Sequence, residues 1–323
     1  MAFDLDCMFA KLRGALSGEH PLGPVYVCGM ARSGTTILLQ LLADLPEFAS
    51  LTYRAMPFVM CPRIGKFLGG QNRKAIPARE RFHGDGVLIS LDTAEAFEEV
   101  FWLTMNAAVA SEKTYDFSAP DGDVLQRFAN YRQLVAGSEK RYLSKNNNNV
   151  GRMSELMRNP KAQIVFAIRD PLATATSMHR VHQKLQSADA FVAEYMGWLG
   201  HHEFGPAHLP FGFAAPQQDK SLSPDTLDYW LDYWIAVHDA ILPVMQNAEQ
   251  NHLLVHDDLQ KDPAAVLAAL AGRLNVMPQG LRDWATTIRT SKRNENSDAV
   301  AKTRLGRARE LYNAFISSPM KVR

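Results

Sequence analysis

Cysteine is scarce in this chain of 323 residues: Cys7, Cys28 and Cys61 are the three, all in its first fifth. An odd number without metal-ligand spacing excludes a disulfide framework and a thiolate zinc site, and points to free thiols in a reducing, cytoplasmic compartment. Long apolar runs are missing as well; none approaches the roughly 20 residues that a membrane span needs. Neither sign of charge dominates, with a net charge of +1, 21% charged and 46% hydrophobic residues, so nucleic acid is not an expected partner. The first 20 residues carry Asp4 and Asp6 where an export signal has basic residues. Leu5, Met8, Phe9, Leu12 and Leu16 recur there at helical spacing and predict a short docked helix.

What is present centres on VYVCGMARSGTT, residues 25–36, followed by ILLQLLADL. A β-favouring run ends at Gly29, and Ile37, Leu38, Leu41, Leu42 and Leu45 then follow helical spacing, which predicts buried strand, tight loop and helix. Such a junction aims backbone N–H groups and the positive end of the helix dipole into the loop, where a tetrahedral anion fits. Gly29, four residues, then Gly34, Thr35 and Thr36 keep the spacing of a nucleotide-triphosphate P-loop, except that the lysine is absent. Thr35 stands in its place, and Arg32 is the cation of the loop, suited to a bidentate pair with an oxyanion other than a triphosphate.

Further along, FASLTY reads as a second strand, residues 69–91 as a long loop, and Asp92 with Glu95 as the cap of a helix bearing Phe97, Phe101 and Met105. A helix is predicted over 124–135, a short strand at RYLSKNNNN, and a helix over 150–157. QIVFAIR, residues 163–169, is continuously apolar, as a parallel strand covered on both faces requires. It ends in Arg169-Asp170-Pro171, and Pro171 suits the first turn of a helix running to about Leu185. Helices over 189–202, 224–249, with a kink at Pro243, 262–275, 279–289 and 297–316, and a strand at HLLVHDD, complete an α/β pattern with a helix-rich C-terminal half. Without repeat or linker, 1–323 is expected to be one domain: an N-terminal helix over 1–20, a core over 24–275 and C-terminal helices over 276–323.

The two strand–helix junctions, VYVCGMARSGTT and VFAIRDPLATATSMHR, together resemble the paired signatures of the sulfotransferases that use 3'-phosphoadenosine 5'-phosphosulfate (PAPS). RERFHGDGVLISLD, EAFEEVFW and YMGWLGHHEFG resemble a bacterial branch of that family. The resemblance implies a three-layer P-loop-like fold, a central, mostly parallel sheet between helices. It implies that Arg32, Ser33, Gly34, Thr35 and Thr36 hold the 5'-phosphosulfate, that Arg169 and Ser177 hold the 3'-phosphate, and that Arg32 and Lys145 support the bridging oxygen. Ser177 falls eight residues after Arg169, about two helical turns. PAPS would be the co-substrate, adenosine 3',5'-bisphosphate (PAP) the product, and no metal is implied. The acceptor would be a hydroxyl of a carbohydrate, lipid or small metabolite.

The chain departs from better-known relatives at the base that must accept the hydroxyl proton. Thr52 stands where tyrosylprotein sulfotransferases place Glu, and Asn147 where phenol and steroid sulfotransferases place His. His83, oriented by Asp85 in a glycine-flanked loop, is the expected base, with Asp85 itself the next candidate and Glu98 or Glu99 after it. The R-K-G-x-x-G motif of cytosolic relatives is also absent, and Lys292 and Arg293 are candidates to serve the 3'-phosphate instead. His179 and His182, at i and i+3, lack an evident third metal ligand, and His201-His202-Glu203 reads as pocket rim or surface. A P-loop kinase without its lysine, and a PAP-sensing protein without catalysis, are the competing functions.

Overall fold

The computed structural model describes every residue except 15, 17, 70–78, 81–87 and 289–296. His83, Asp85, Lys292 and Arg293 therefore lie outside the described residues. In chain order the strands are β1 (Val25–Cys28), β2 (Phe48–Ala49), β3 (Arg79–Glu80), β4 (Leu88–Ile89), β5 (Ala108–Ala110), β6 (Tyr115–Phe117), β7 (Arg141–Lys145), β8 (Gln163–Ile168) and β9 (Asn251–Val255). The helices begin with α1 (Ala2–Leu12), α2 (Thr35–Ala43), α3 (Pro62–Gly69), α4 (Glu99–Thr104), α5 (Gly122–Ala136) and α6 (Met153–Leu156). They continue with α7 (Pro171–Leu185), α8 (Ala190–Trp198), α9 (Leu227–Gln246), α10 (His256–Lys261), α11 (Pro263–Leu274), α12 (Gln279–Ala285) and α13 (Lys302–Ile316).

A five-stranded sheet, ordered β2-β7-β1-β8-β9, is parallel throughout and carries the expected α/β, three-layer, P-loop-like fold. Alternation along β1 decides the layers, because successive side chains of a strand point to opposite faces. Val25 and Val27 pack with Leu38, Leu41 and Leu42 of α2 and with Leu267 and Leu270 of α11. Tyr26 and Cys28 face the larger core, built from α4, α5, α7, α9 and α13 around Trp102, Trp230 and Trp234. Burying an aliphatic side chain of this size is worth about 1.5–3 kcal/mol, so the four buried leucines of α2 hold that helix to the sheet whatever its loop does. In α9, Trp230, Tyr233, Trp234 and Val237 are core, as their spacing predicts.

The register sets up the site. Val27 pairs with Lys145 and Cys28 with Phe166, so β1, β7 and β8 end side by side at the carboxyl edge of the sheet. In open α/β sheets ligands bind at that edge, at the strand where the order reverses, and here that strand is β1.

Several local expectations give way to tertiary contacts. Asp92 does not cap a helix: its carboxylate pairs with Arg54, and α4 begins seven residues later. The backbone of 51–54 bonds to 91–95 through Tyr53 N–H to Thr93, Arg54 N–H to Leu91 and Glu95 N–H to Leu51, which keeps 91–95 out of a helix. The strand expected at FASLTY is correspondingly cut to Phe48–Ala49 and followed by a 3-10 turn at Tyr53–Ala55. Residues 147–152 form a 3-10 turn rather than the start of the α-helix expected over 150–157. A β5–β6 hairpin, unforeseen, is closed by Ser111 and Thr114 hydroxyl bonds.

Candidate active site

The loop between β1 and α2 is shaped by three residues with positive φ: Gly29 at 143°, Arg32 at 72° and Gly34 at 100°. A Cβ on Gly29 would lie 2.5 Å from the Ala167 carbonyl oxygen, and one on Gly34 would lie 2.8 Å from the His256 ring. Both positions therefore need glycine for space as well as for backbone freedom. Arg32 adopts the left-handed region without that excuse, at a cost of about 1–3 kcal/mol, a strain of the kind that clusters at functional sites. Gly34 caps α2 with no side-chain acceptor, so the first N–H groups of the helix point into the loop as donors for an anion.

Ser33 is buried and its hydroxyl donates to the Met30 carbonyl at 2.7 Å, so this side chain braces the loop from within. The Arg32 Nε donates to Ser177 Oγ at 3.0 Å, and an Arg169 Nη1 donates to the Arg32 carbonyl at 3.5 Å. The two junctions singled out in the sequence are thus in direct contact. Asp170 caps α7 by accepting from Ala173 N–H at 2.9 Å, with Pro171 in the first turn, which places Ser177 two turns in and beside the loop.

Lys145, at the end of β7, is 5% exposed. The turn after it is held by a buried network: Glu99 accepts from both Arg152 terminal nitrogens and from Asn146, and Glu98 accepts from Tyr142, Ser144, Trp102 and Asn149. Glu98 and Glu99, expected after Asp85 as bases, are thereby committed to the interior, and neither lines the cavity described below. Burial alone would raise the Glu99 carboxyl, but the Arg152 guanidinium and the other donors outweigh it and hold Glu99 ionised.

A cavity of about 280 Å³ opens at this edge, lined by Arg32, Thr35, Thr36, Lys145 and Asn147, and farther out by α7, α8 and residues 201–207. Thr35 Oγ1 donates to Asn147 Oδ1 at 3.2 Å, Asn147 Nδ2 donates to Glu203 Oε1 at 2.9 Å, and His201 Nδ1 lies 3.5 Å from Glu203 Oε2. This chain from the anion loop to the outer wall escaped sequence reasoning; Glu203 was visible only as part of a rim. Burial would lift the Glu203 carboxyl, yet His201, Lys145 and the Asn147 amide hold it well below the usual range. Glu95, also in the cavity wall, accepts from the Tyr53 hydroxyl at 2.8 Å and from Ala96 N–H at 2.9 Å.

His179 and His182 do not form a pair. His182 is buried and bonds Gln186 and the Gly205 N–H, whereas the His179 ring faces the Asp225 carbonyl. Among the described residues no group of three or more His, Cys, Asp or Glu is gathered for a metal, and no helix is long and apolar enough to cross a membrane.

Fold and loop together define a P-loop-like α/β protein whose β1–α2 loop has Thr35 at the P-loop lysine position and Arg32 as its cation. The sequence profile of the sulfotransferase family matches residues 24–205, more than half of the chain, and the protein belongs to that family. Comparison with curated proteins yields no match. Among solved structures, sulfotransferase STF9 from Mycobacterium avium is similar at a TM-score of 0.54 and 14% identity, over 96% of this chain and 80% of that one. Sulfotransferase STF1 from Mycobacterium tuberculosis H37Rv is similar at 0.52 and 14%, over 97% and 82%. At such identities the likeness speaks for the fold.

Proposed function

We propose that the protein transfers the sulfonate group of PAPS to a hydroxyl of a carbohydrate, lipid or small metabolite, with 1–323 acting as one domain in a reducing, cytoplasmic setting. The observation that carries this is the convergence of the uncapped α2 N-terminus, Arg32 and the buried Lys145 on one cavity at the carboxyl edge of the sheet. The residues present fit the donor: the glycine-shaped nest suits a tetrahedral oxyanion, and Arg169 and Ser177 each contact its Arg32. PAPS supplies an activated sulfonate on a 5'-phosphate leaving group.

The roles of the chain's own residues follow. The α2 amides, Thr35, Thr36 and Arg32 would orient the phosphosulfate, and Arg32 with Lys145 would balance the charge growing on the bridging oxygen. Arg169 and Ser177 would hold the 3'-phosphate; Lys292 and Arg293 are proposed to help from outside the described residues. His83, oriented by Asp85, remains the base proposed from sequence. A second candidate comes from the cavity itself: His201, with Nδ1 turned toward the ionised Glu203, is arranged like a base with its orienting carboxylate.

The test is calorimetry with PAP in EDTA. Metal-independent binding, tighter than that of ATP, is expected; metal-dependent binding or preference for ATP overturns the proposal in favour of a kinase. Tight PAP binding without turnover of PAPS across many acceptors would instead mark a sensor.

A further inference from the structure

The cavity has two chemically different ends. Arg32, Lys145, Asn147 and Glu203 make one end polar, whereas the wall from the second half of α7 and from α8 presents Val181, Leu185, Val192, Met196 and Leu199. Val192, Met196 and Leu199 recur at i, i+4 and i+7, so they form one stripe along α8 and the residue that ends it. Helix α8, AFVAEYMGW, is mostly apolar, yet none of its residues is fully buried. Phe191 and Trp198 are exposed, at 65% and 61%. An amphipathic helix ordinarily lays such a stripe on the core, where its burial stabilises the fold. Leu199 is buried, whereas Val192 and Met196 are only partly buried where they border the open volume of the cavity, so the burial of those two is left for a ligand to complete.

A sugar seated along this wall would bring several hydroxyls against aliphatic carbon. Each hydroxyl stripped of water without a partner carries a penalty, and among the described residues of α7 and α8 that line the cavity Tyr195 alone carries a polar group, too few partners for several hydroxyls. A hydrocarbon or ring system meets no such penalty there. We infer that the acceptor is an alcohol with an extended apolar body, its hydroxyl at the polar end of the cavity and its hydrocarbon along the α7–α8 stripe. The role given to the hydroxyl rests on the sulfonate-transfer proposal; the apolar occupancy of the wall does not.

Binding of a series of straight-chain alkanols, short to long, tests it by calorimetry on the full chain, with glucose as the comparison ligand. Each added methylene should tighten binding about two- to fourfold until the wall is filled. Glucose should bind more weakly than the long alkanols. Met196→Gln and Val192→Asn, on neighbouring turns of α8, should each weaken the longest alkanol roughly tenfold while PAP affinity and melting temperature hold. Alkanol binding that ignores chain length, or glucose that binds as tightly as the long alkanols, overturns the inference. Failure of PAP to bind while the length dependence persists would refute the donor assignment and leave the apolar site supported.

Discussion

The Arg32 Nε and the Ser177 hydroxyl meet at 3.0 Å, joining the strained loop after β1 to the middle of α7. Ser177 was expected only at the 3'-phosphate, yet it also fixes the rotamer of the loop's cation. If Ser177 holds the 3'-phosphate as proposed, nucleotide selectivity and the orientation of Arg32 share an atom.

That sharing separates two variants. Arg169→Ala should weaken PAP about ten- to a hundredfold and leave 5'-AMP nearly unchanged, since a charged hydrogen bond to the 3'-phosphate is worth roughly 1.5–3 kcal/mol. Ser177→Ala should weaken both nucleotides, PAP more, because Arg32 also loses its hydrogen bond to that hydroxyl. Calorimetry with the two ligands decides; equal losses for Arg169→Ala would refute its assignment.

Lys145→Ala should lower kcat by on the order of 10²-fold or more while PAP affinity falls far less, because its charge is proposed to act on the bridging oxygen as the bond breaks. Single-turnover rates with labelled PAPS measure this. A loss confined to KM would show uniform binding instead.

The base can be located by comparison of His83→Ala with His201→Ala. Loss of a positioned base costs about 10²–10⁴ in rate, and PAP affinity and melting temperature should be unmoved by the true one. If His201 is the base, Glu203→Gln should also lower kcat and shift its pH profile, since the carboxylate orients and charges against the imidazole. A kcat within about threefold of wild type for either histidine variant removes that residue from the role.

Arg152→Ala should destabilise the protein by about 3–5 kcal/mol, because it leaves the buried Glu99 carboxylate uncompensated beneath the turn that carries Lys145 and Asn147. Urea unfolding provides the measurement. A change below about 1 kcal/mol would show that the pair behaves like an exposed one.

Acid should destabilise the fold before carboxylates titrate. Burial holds the His238 imidazole down at about 3, and burial, with His182 nearby, holds His208 at about 4. Both are neutral in the native state, whereas the unfolded chain takes up protons below about 6.5. Their stabilising contribution is therefore full above that pH and is lost as pH falls toward their native values. Melting temperature should drop from pH 6.5 to 4, and His238→Phe should make that slope shallower. An unchanged slope would mean that His238 is not protonated on unfolding.

The amino-acid sequence by itself determined the elements whose signals are local. A strand covered on both faces must be apolar throughout, so β8 could be read from QIVFAI; α7 could be read from Asp170 and Pro171, and the anion loop from its glycine spacing. The family-like pair of junctions was legible for the same reason. Only the tertiary structure decided what depends on partners far along the chain. Asp92 has the form of a helix cap, but pairing of 51–54 with 91–95 takes that segment out of the helix and gives its carboxylate to Arg54. Glu98 and Glu99 look like free carboxylates in sequence, and become interior acceptors because groups about fifty residues on fold over them, Ser144 and Asn149 over Glu98, Asn146 and Arg152 over Glu99. Thr35, Asn147 and Glu203 are linked across separations of 112 and 56 residues, which no periodicity encodes. Cavity walls and hydrogen-bonded chains of that kind arise from the packing of α7, α8 and β7 around the sheet edge, and packing is a property of the whole chain.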